Sequence, residues 1–436
     1  MLEGFGSASR IPELRRRLLF TAFMLAVYRL GVAVPTPGID GQALASFFEQ
    51  AKGTLFGWAN LFSGGALERF SVFALGIMPY ISVAIILDLL KVASPYIDEL
   101  YKEGEAGRRK ITQYTRYGTV GLAIVQGGMI AYSLQKLPAP GGGSIVLNPG
   151  PAFIIMTVLT VTAGTMFVMW IGEQITERGI GNGISLIIMA GIIARLPSAI
   201  GTTTDYVRNG EMSLFVLIII LTIAAAVIAG IVYIETAQRR IPIQYARRVQ
   251  GRRVYGGQSS HLPLKINTSG VIPPIFASSI LIFPATIAQF IPRFKDIATA
   301  YLTPGSLVYS SLYVILIFFF CYFYTAVTFN PVDVADNLRK YGGFIPGIRP
   351  GRFTAEYIDK VLSRITLGGA VYVSLVCILP TLLIARFNVP FVFGGTALLI
   401  VVGVALDTVA QIETHLLTRN YEGFMKRGRV KSRRGA

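Results

Sequence analysis

Catalysis and coupled transport need side chains that exchange protons, hold metals or attack bonds, and this 436-residue chain places few of them together. Its two histidines, His261 and His415, are far apart in sequence. Its two cysteines, Cys321 and Cys377, lie inside apolar runs, too few for a disulfide framework or a metal cluster. Each reads as a small buried hydrophobe. The phosphate-cradling G-x-x-x-x-G-K-[ST], the zinc-binding H-E-x-x-H and the nucleophile elbow G-x-S-x-G are all missing. Gly179-Ile180-Gly181-Asn182-Gly183 lacks the setting of a dinucleotide site and reads as a backbone turn at the head of a helix. Within the apolar runs, Arg29 lies near an outer end and can snorkel, Asp88 lies near an inner end, and Asp407 is the only deep acid. Asp407 alone reads as a buried, hydrogen-bonded or paired acid. An ion-coupled transporter for a small solute needs a polar site near midplane. An intramembrane protease needs a nucleophile and base or paired acids within the spans. Neither pattern is evident, so no enzyme and no cofactor is expected.

The spacing offers isoleucine instead. Ile77 and Ile81 are four apart and share a helix face, as do Ile184 and Ile188. Ile275 follows Pro273-Pro274, and Ile400 lies within Leu398 to Val402. Such faces are ordinarily core or lipid contact. If they converge on a pore, the constriction is apolar and blocks ions by dewetting. It suits a passenger of varied sequence and is a poor filter for one solute. Just before Ile77, the stretch Trp58 to Phe70 is too short to cross a bilayer core, which takes about 20 residues. It carries Gly64-Gly65, Glu68 and Arg69. Such backbone is tolerated at membrane depth only inside protein or against a water-filled cavity. The stretch reads as a re-entrant piece held in a cavity, or as an extramembrane amphipathic helix.

The elements that must position these residues are membrane spans. The chain is 53% hydrophobic and 14% charged, with mean hydropathy +0.58, against about 25% charged in soluble domains. Ten apolar runs cover roughly 18–34, 72–90, 117–134, 152–171, 183–200, 214–234, 270–291, 307–329, 365–384 and 391–412, the fifth interrupted by Arg195 and Pro197. Arg15-Arg16-Arg17 before the first resembles a signal peptide, but that run ends in Val34-Pro35-Thr36-Pro37 and reads as a retained span. Lys and Arg divide 31 to 8 between the two faces, with Arg29 inside the first span. The positive-inside rule then places both termini in the cytoplasm. Spans one to five and six to ten have opposite orientations. The fold expected is an all-α polytopic membrane protein of two inverted five-helix halves, residues 1–200 and 201–414, with a basic cytoplasmic tail over 415–436.

Two cytoplasmic loops are large and basic. Residues 235–269 carry Arg239-Arg240, Arg247-Arg248 and Arg252-Arg253, with a hairpin expected around Gly256-Gly257. Residues 330–364 open on Asn330-Pro331, a helix cap and first turn, and place Arg349 in a turn between Gly347 and Gly351. Such arginines serve orientation and contact with anionic lipid, or dock an acidic partner or ribosomal RNA phosphate.

Six segments resemble the SecY family of bacterial protein-conducting channels: FSGGALERFSVFALGIMPYIS (62–82), GEQITERGIGNGIS (172–185), GRRVYGGQSSHLPLK (251–265), GVIPPIFASS (270–279), NPVDVADNLRKYGGFIPGIRPG (330–351) and FGGTALLIV (393–401). The resemblance implies a ten-span clamshell around an hourglass pore that passes unfolded polypeptide and releases apolar segments sideways into the cell (inner) membrane. By motif position, the pore ring is Ile77, Ile81, Ile184, Ile188, Ile275 and Ile400. A short plug helix takes in Asn60, Leu61, Phe62, Ser63, Gly64, Gly65, Ala66, Leu67, Glu68 and Arg69. A lateral gate, between spans two and three and spans seven and eight, has polar positions at Ser82, Gln126 and Asn267. Arg247, Arg248, Arg252, Arg253 and Arg349 fall where the family engages the SecA motor ATPase or the ribosome. SecE and SecG are the implied membrane partners, and the passenger is a preprotein with its signal sequence. The second Pro of Pro273-Pro274, and Arg195 in span five, depart from the family pattern.

Overall fold

Residues rich in Leu, Ile, Val and Phe cannot leave backbone polar groups unpaired in lipid, so each apolar run has to close its hydrogen bonds within itself as a helix. In the computed structural model each of the ten runs holds a helix. The structure describes the chain except residues 1–10, 51–63, 137–143, 211–212, 246–247, 251–252, 256–258, 291–305, 388–394 and 428–436. The helices are α1 (Pro12–Val32), α2 (Gly41–Gln50), α3 (Met78–Ala93), α4 (Pro95–Lys102), α5 (Glu105–Lys136), α6 (Pro151–Arg178), α7 (Gly183–Ile193), α8 (Leu196–Arg208) and α9 (Leu214–Thr236). They continue with α10 (Ile272–Phe290), α11 (Leu307–Thr328), α12 (Pro331–Lys340), α13 (Arg352–Phe387) and α14 (Gly395–Arg427). Among the described residues, six helices or helix pairs can cross a membrane by length and composition alone, and a seventh is the bent pair α3 and α4.

Local chemistry sets the helix starts. Asn182 accepts from the Ile184 and Ser185 amides at 3.1 and 3.4 Å and caps α7. Ser213 and Ser306 cap α9 and α11. Asn330 accepts from the Val332 amide at 3.0 Å, with Pro331 in the first turn of α12, as the sequence suggests.

Three expectations need correction. The second span is helical only from Met78, because 71–77 run in turns tied to other strands of chain: the Val72 amide donates to Val34 O at 3.0 Å and the Thr36 amide to Phe70 O at 2.9 Å. The fifth span runs on to Arg208 rather than ending near 200, with the break at Arg195, between α7 and α8, where the sequence marks an interruption. The hairpin expected around Gly256-Gly257 is not the pairing found: β3 (Arg253–Tyr255) pairs with β2 (Arg248–Gln250), Gln250 opposite Arg253, and Gly256-Gly257 lie outside the described residues.

At its base, β1 (Gln238–Tyr245) pairs antiparallel with β4 (Ser259–Lys265) and, on its other edge, with β5 (Gly343–Phe344). The two basic loops are therefore one body. Ile241, Leu264, Ile345, Ile358 and Val361 form a separate small core beneath it. The last helix continues to Arg427, so the tail begins as helix.

Candidate pore, plug and gate

The six candidate ring residues come from four helices, two in each half of the sequence. Ile77 is the residue before α3 and Ile81 lies one turn in, its amide donating to Ile77 O at 3.1 Å. Ile184 and Ile188 lie on α7, Ile275 on α10 and Ile400 on α14. All six meet in one apolar cluster: Ile77, Ile81, Ile188, Ile275 and Ile400 are buried members, at 3, 5, 2, 5 and 0% exposure, and Ile184 packs against them half-buried. Next to Ile275, the Ser278 and Ser279 hydroxyls both donate to the Ile275 carbonyl, at 2.9 and 2.8 Å, so these two hydroxyls are taken up within their own helix.

The described part of the candidate plug is Gly64 to Arg69; Asn60, Leu61, Phe62 and Ser63 lie outside the described residues. This part runs in turns rather than in the expected helix. Gly64 and Gly65 have φ of +66° and +88°, a region other residues rarely adopt, which stops a helix. Ala66 is fully buried in the same cluster as the isoleucines, and Leu67 and Phe70 are buried in a neighbouring one. Arg69 is exposed. Glu68 pairs with Arg195, Nη2 to Oε2 at 2.9 Å, and Arg29 Nη1 donates to the Gly64 carbonyl at 3.0 Å. Arg29 thus turns inward to this segment instead of snorkelling.

The gate positions are not joined. Ser82 is half-buried and its hydroxyl donates to Met78 O of its own helix at 3.1 Å. Gln126 is half-buried on α5. Asn267 is buried, donates to Glu235 Oε1 at 2.7 Å and to Gly270 O at 3.0 Å, and accepts from Ser269 Oγ at 3.0 Å. The helices carrying the two sides do touch, α3 against α10. Lys91 Nζ, at the inner end of α3, reaches the Val327 carbonyl near the end of α11 at 3.5 Å. Tyr101 holds Asp88 Oδ1 at 3.0 Å. Asp407, expected to be buried, is exposed and lies 3.9 Å from Lys265 Nζ.

Of the docking candidates, Arg349 is exposed in its turn, whose carbonyl accepts from the buried Thr354 hydroxyl at 2.9 Å. Arg248 and Arg253 are placed on β2 and β3, while Arg247 and Arg252 lie outside the described residues. Cys321 and Cys377 are buried free thiols.

Sequence reasoning missed a junction between the halves. The Gly181 amide donates to Gln411 Oε1 of α14 at 2.9 Å, and beside it, within the first half, the Ile180 amide donates to Thr21 Oγ1 of α1 at 3.1 Å. The only hint in the sequence is the density of glycines over 179–183, which leaves those amides open to approach.

The family model described as SecY matches residues 71–409. Protein translocase subunit SecY of Escherichia coli K12 is 53% identical over 426 residues, covering 97% of this chain and 96% of that protein. The chain belongs to the SecY family. The SecY subunit of Aquifex aeolicus is 47% identical over 430 residues, covering 98% of this chain and all of that protein. Among solved structures, one described as a protein conducting channel aligns with TM-score 0.66 at 18% identity, covering 93% of this chain and 96% of that one. Sec61 in a canine ribosome–channel complex aligns with TM-score 0.62 at 17% identity over the same shares. The SecY fold is thus that of this chain: ten membrane-spanning helices, of which composition alone marks six or seven.

Proposed function

We propose that this chain is the channel subunit of a protein translocase, in the cell membrane, passing unfolded secretory polypeptides across and releasing signal sequences and transmembrane segments sideways into lipid. The observation that carries this reading is the convergence of Ile77, Ile81, Ile184, Ile188, Ile275 and Ile400 in one buried apolar cluster that also takes in Ala66. Isoleucine offers no directional bond, so this waist grips no particular sequence. It also gives water and ions no polar lining. The rival reading, a secondary transporter, needs a polar midplane site, and the residues gathered at the waist are apolar.

In this reading, residues 60–69 are the plug, and closed channels hold it beneath the ring. The gate opens where α3 and α5 meet α10 and α11, at Ser82, Gln126 and Asn267. An apolar signal sequence partitions through it into lipid, gaining about 25 cal/mol per Å² of apolar area removed from water, and that differential interaction favours the open state. Residues 1–200 and 201–414 move as two halves, with both termini cytoplasmic because 31 of the basic residues fall on that side.

Energy comes from outside the chain. The basic loop residues Arg247, Arg248, Arg252, Arg253 and Arg349 engage the SecA motor or the ribosome, a reading supported by the exposure of Arg349 in its turn. SecE and SecG complete the membrane complex, and the 415–436 tail faces anionic lipid. Relatives of this fold have been seen on ribosomes, Sec61 in the canine complex and Ssh1 in the yeast one. The test is uptake by vesicles holding the purified complex: a preprotein enters and a small solute does not. Deleting residues 58–70 raises resting ion conductance. A deletion variant as tight as the parent contradicts the sealing role.

A further inference from the structure

We infer that Glu68 and Arg195 form a latch that holds the plug segment in its seat, and that breaking this one ion pair is a step in opening. The inference rests on the reading of 60–69 as the plug and adds what keeps it closed. Three observations converge on the same few residues.

Ala66, Leu67 and Phe70 are buried in the apolar clusters around the segment, and at Gly64 the seat is made by close backbone approach. A Cβ on Gly64 would lie 2.7 Å from the Gly191 Cα of α7, and one on Gly191 would lie 3.1 Å from the Gly64 Cα. Two glycines facing each other give a snug fit but add little apolar area at that point, so apolar contact does not fix the orientation of the turn there.

The segment is also held in a conformation it would not choose. Phe70 has φ +41°, the only non-glycine among the described residues with positive φ. A buried aromatic in that region stays there only when its surroundings over-determine it.

Backbone bonds hold the segment's C-terminal end, the Phe70 carbonyl accepting from the Thr36 amide at 2.9 Å and the Ser71 amide donating to Ala66 O at 2.8 Å, and charges hold the rest. Arg195 Nη2 is 2.9 Å from Glu68 Oε2, and its guanidinium lies against Gly65, 3.8 Å from where a Cβ would stand. The arginine is fixed at the break between α7 and α8: its amide donates to Ile192 O at 3.2 Å, and its carbonyl accepts from the Ser198 hydroxyl at 2.9 Å. On the other flank, Arg29 holds the Gly64 carbonyl at 3.0 Å. Both arginines come from the first half of the chain. The break in the fifth span thereby acquires a purpose: it sets a cation at the plug's level without a lipid-facing charge. The pair is half-buried, at 20 and 38% side-chain exposure, and so is less screened by salt than a surface pair.

The test measures chloride efflux from proteoliposomes holding the purified full-chain complex with no preprotein. Glu68→Arg and Arg195→Glu each raise resting efflux about tenfold, or about 1.4 kcal/mol in the closed–open balance. The double swap, Glu68→Arg with Arg195→Glu, returns efflux to within about twofold of the parent, which loss of folding would not do. The near-isosteric Glu68→Gln gives a leak of about threefold and serves where reversal lowers yield. Single variants as tight as the parent overturn the latch, as does a double swap no tighter than the singles. Deleting residues 58–70 separates the two claims: a leaky deletion beside tight charge variants leaves the seal and removes the latch, and a tight deletion removes the sealing reading itself.

Discussion

At the proposed waist, six isoleucines from both halves of the chain gather in one apolar cluster, and their side chains make no directional bond. At the plug seat a few ångströms of backbone contact are fastened by Arg29, Arg195 and Glu68. The waist is strong in sum and indifferent to detail, because apolar contact is proportional to area. Each isoleucine can be displaced by whatever chain passes and regained afterwards. The seat adds to the buried Ala66, Leu67 and Phe70 a fastening that depends on geometry, so losing a charged partner loosens it. A channel that must admit any sequence but open only on demand has use for both: an unspecific ring around the passenger and a specific fastening on the lid.

The sharpest way to break the contrast is to give the waist a polar group. Ile81→Asp should raise resting ion conductance by roughly a hundredfold, about 2.8 kcal/mol in the closed–open balance, because an unpaired carboxylate brings water with it. Planar-bilayer recording checks this. Gly64→Val comes next. Its Cβ would press on Gly191, and φ +66° disfavours it, so strain of about 1–3 kcal/mol should unseat the plug and raise chloride efflux about tenfold. Arg349→Glu should abolish motor-driven preprotein uptake while leaving resting efflux at the parent level, since the turn lies in neither seal. Gln411→Leu removes the acceptor of the Gly181 amide and should cost about 1 kcal/mol in denaturant unfolding, read by tryptophan fluorescence. The smallest effect is expected for Ile81→Val, about 1 kcal/mol of stability with conductance unchanged. A large leak from that one methylene would mean that the waist seals by exact fit after all.

How much of this the sequence discloses depends on the range of the forces involved. The spans are legible because a run of apolar residues has one way to sit in lipid, and the i, i+4 spacing of Ile77 and Ile81 marks a face before any fold is known. Hydropathy fails at Val72 to Ile77, which is as apolar as the helix after it. Those residues run in turns because Val72 and Phe70 bond to Val34 and Thr36, more than thirty residues earlier in the chain. The small sheet was invisible for the same reason: β1 and β5 lie in different loops, and only the Gln244–Phe344 and Tyr245–Gly343 pairings join them. Arg195 reads as a fault in the fifth span until Glu68 is seen 2.9 Å away. Asp407 misled because depth was judged from position along the helix, whereas its side chain faces outward beside Lys265.

The central claim is that the passenger threads between the isoleucines, and it can be tested within one helix. Cysteine placed at Ile81 and, as a control, at exposed Ile86 of α3 is probed for disulfide crosslinking to the mature part of a preprotein stalled in the channel. The account predicts crosslinks at position 81, and likewise at Ile275, with none at position 86. Crosslinks at 86 and none at 81 or 275 would contradict it.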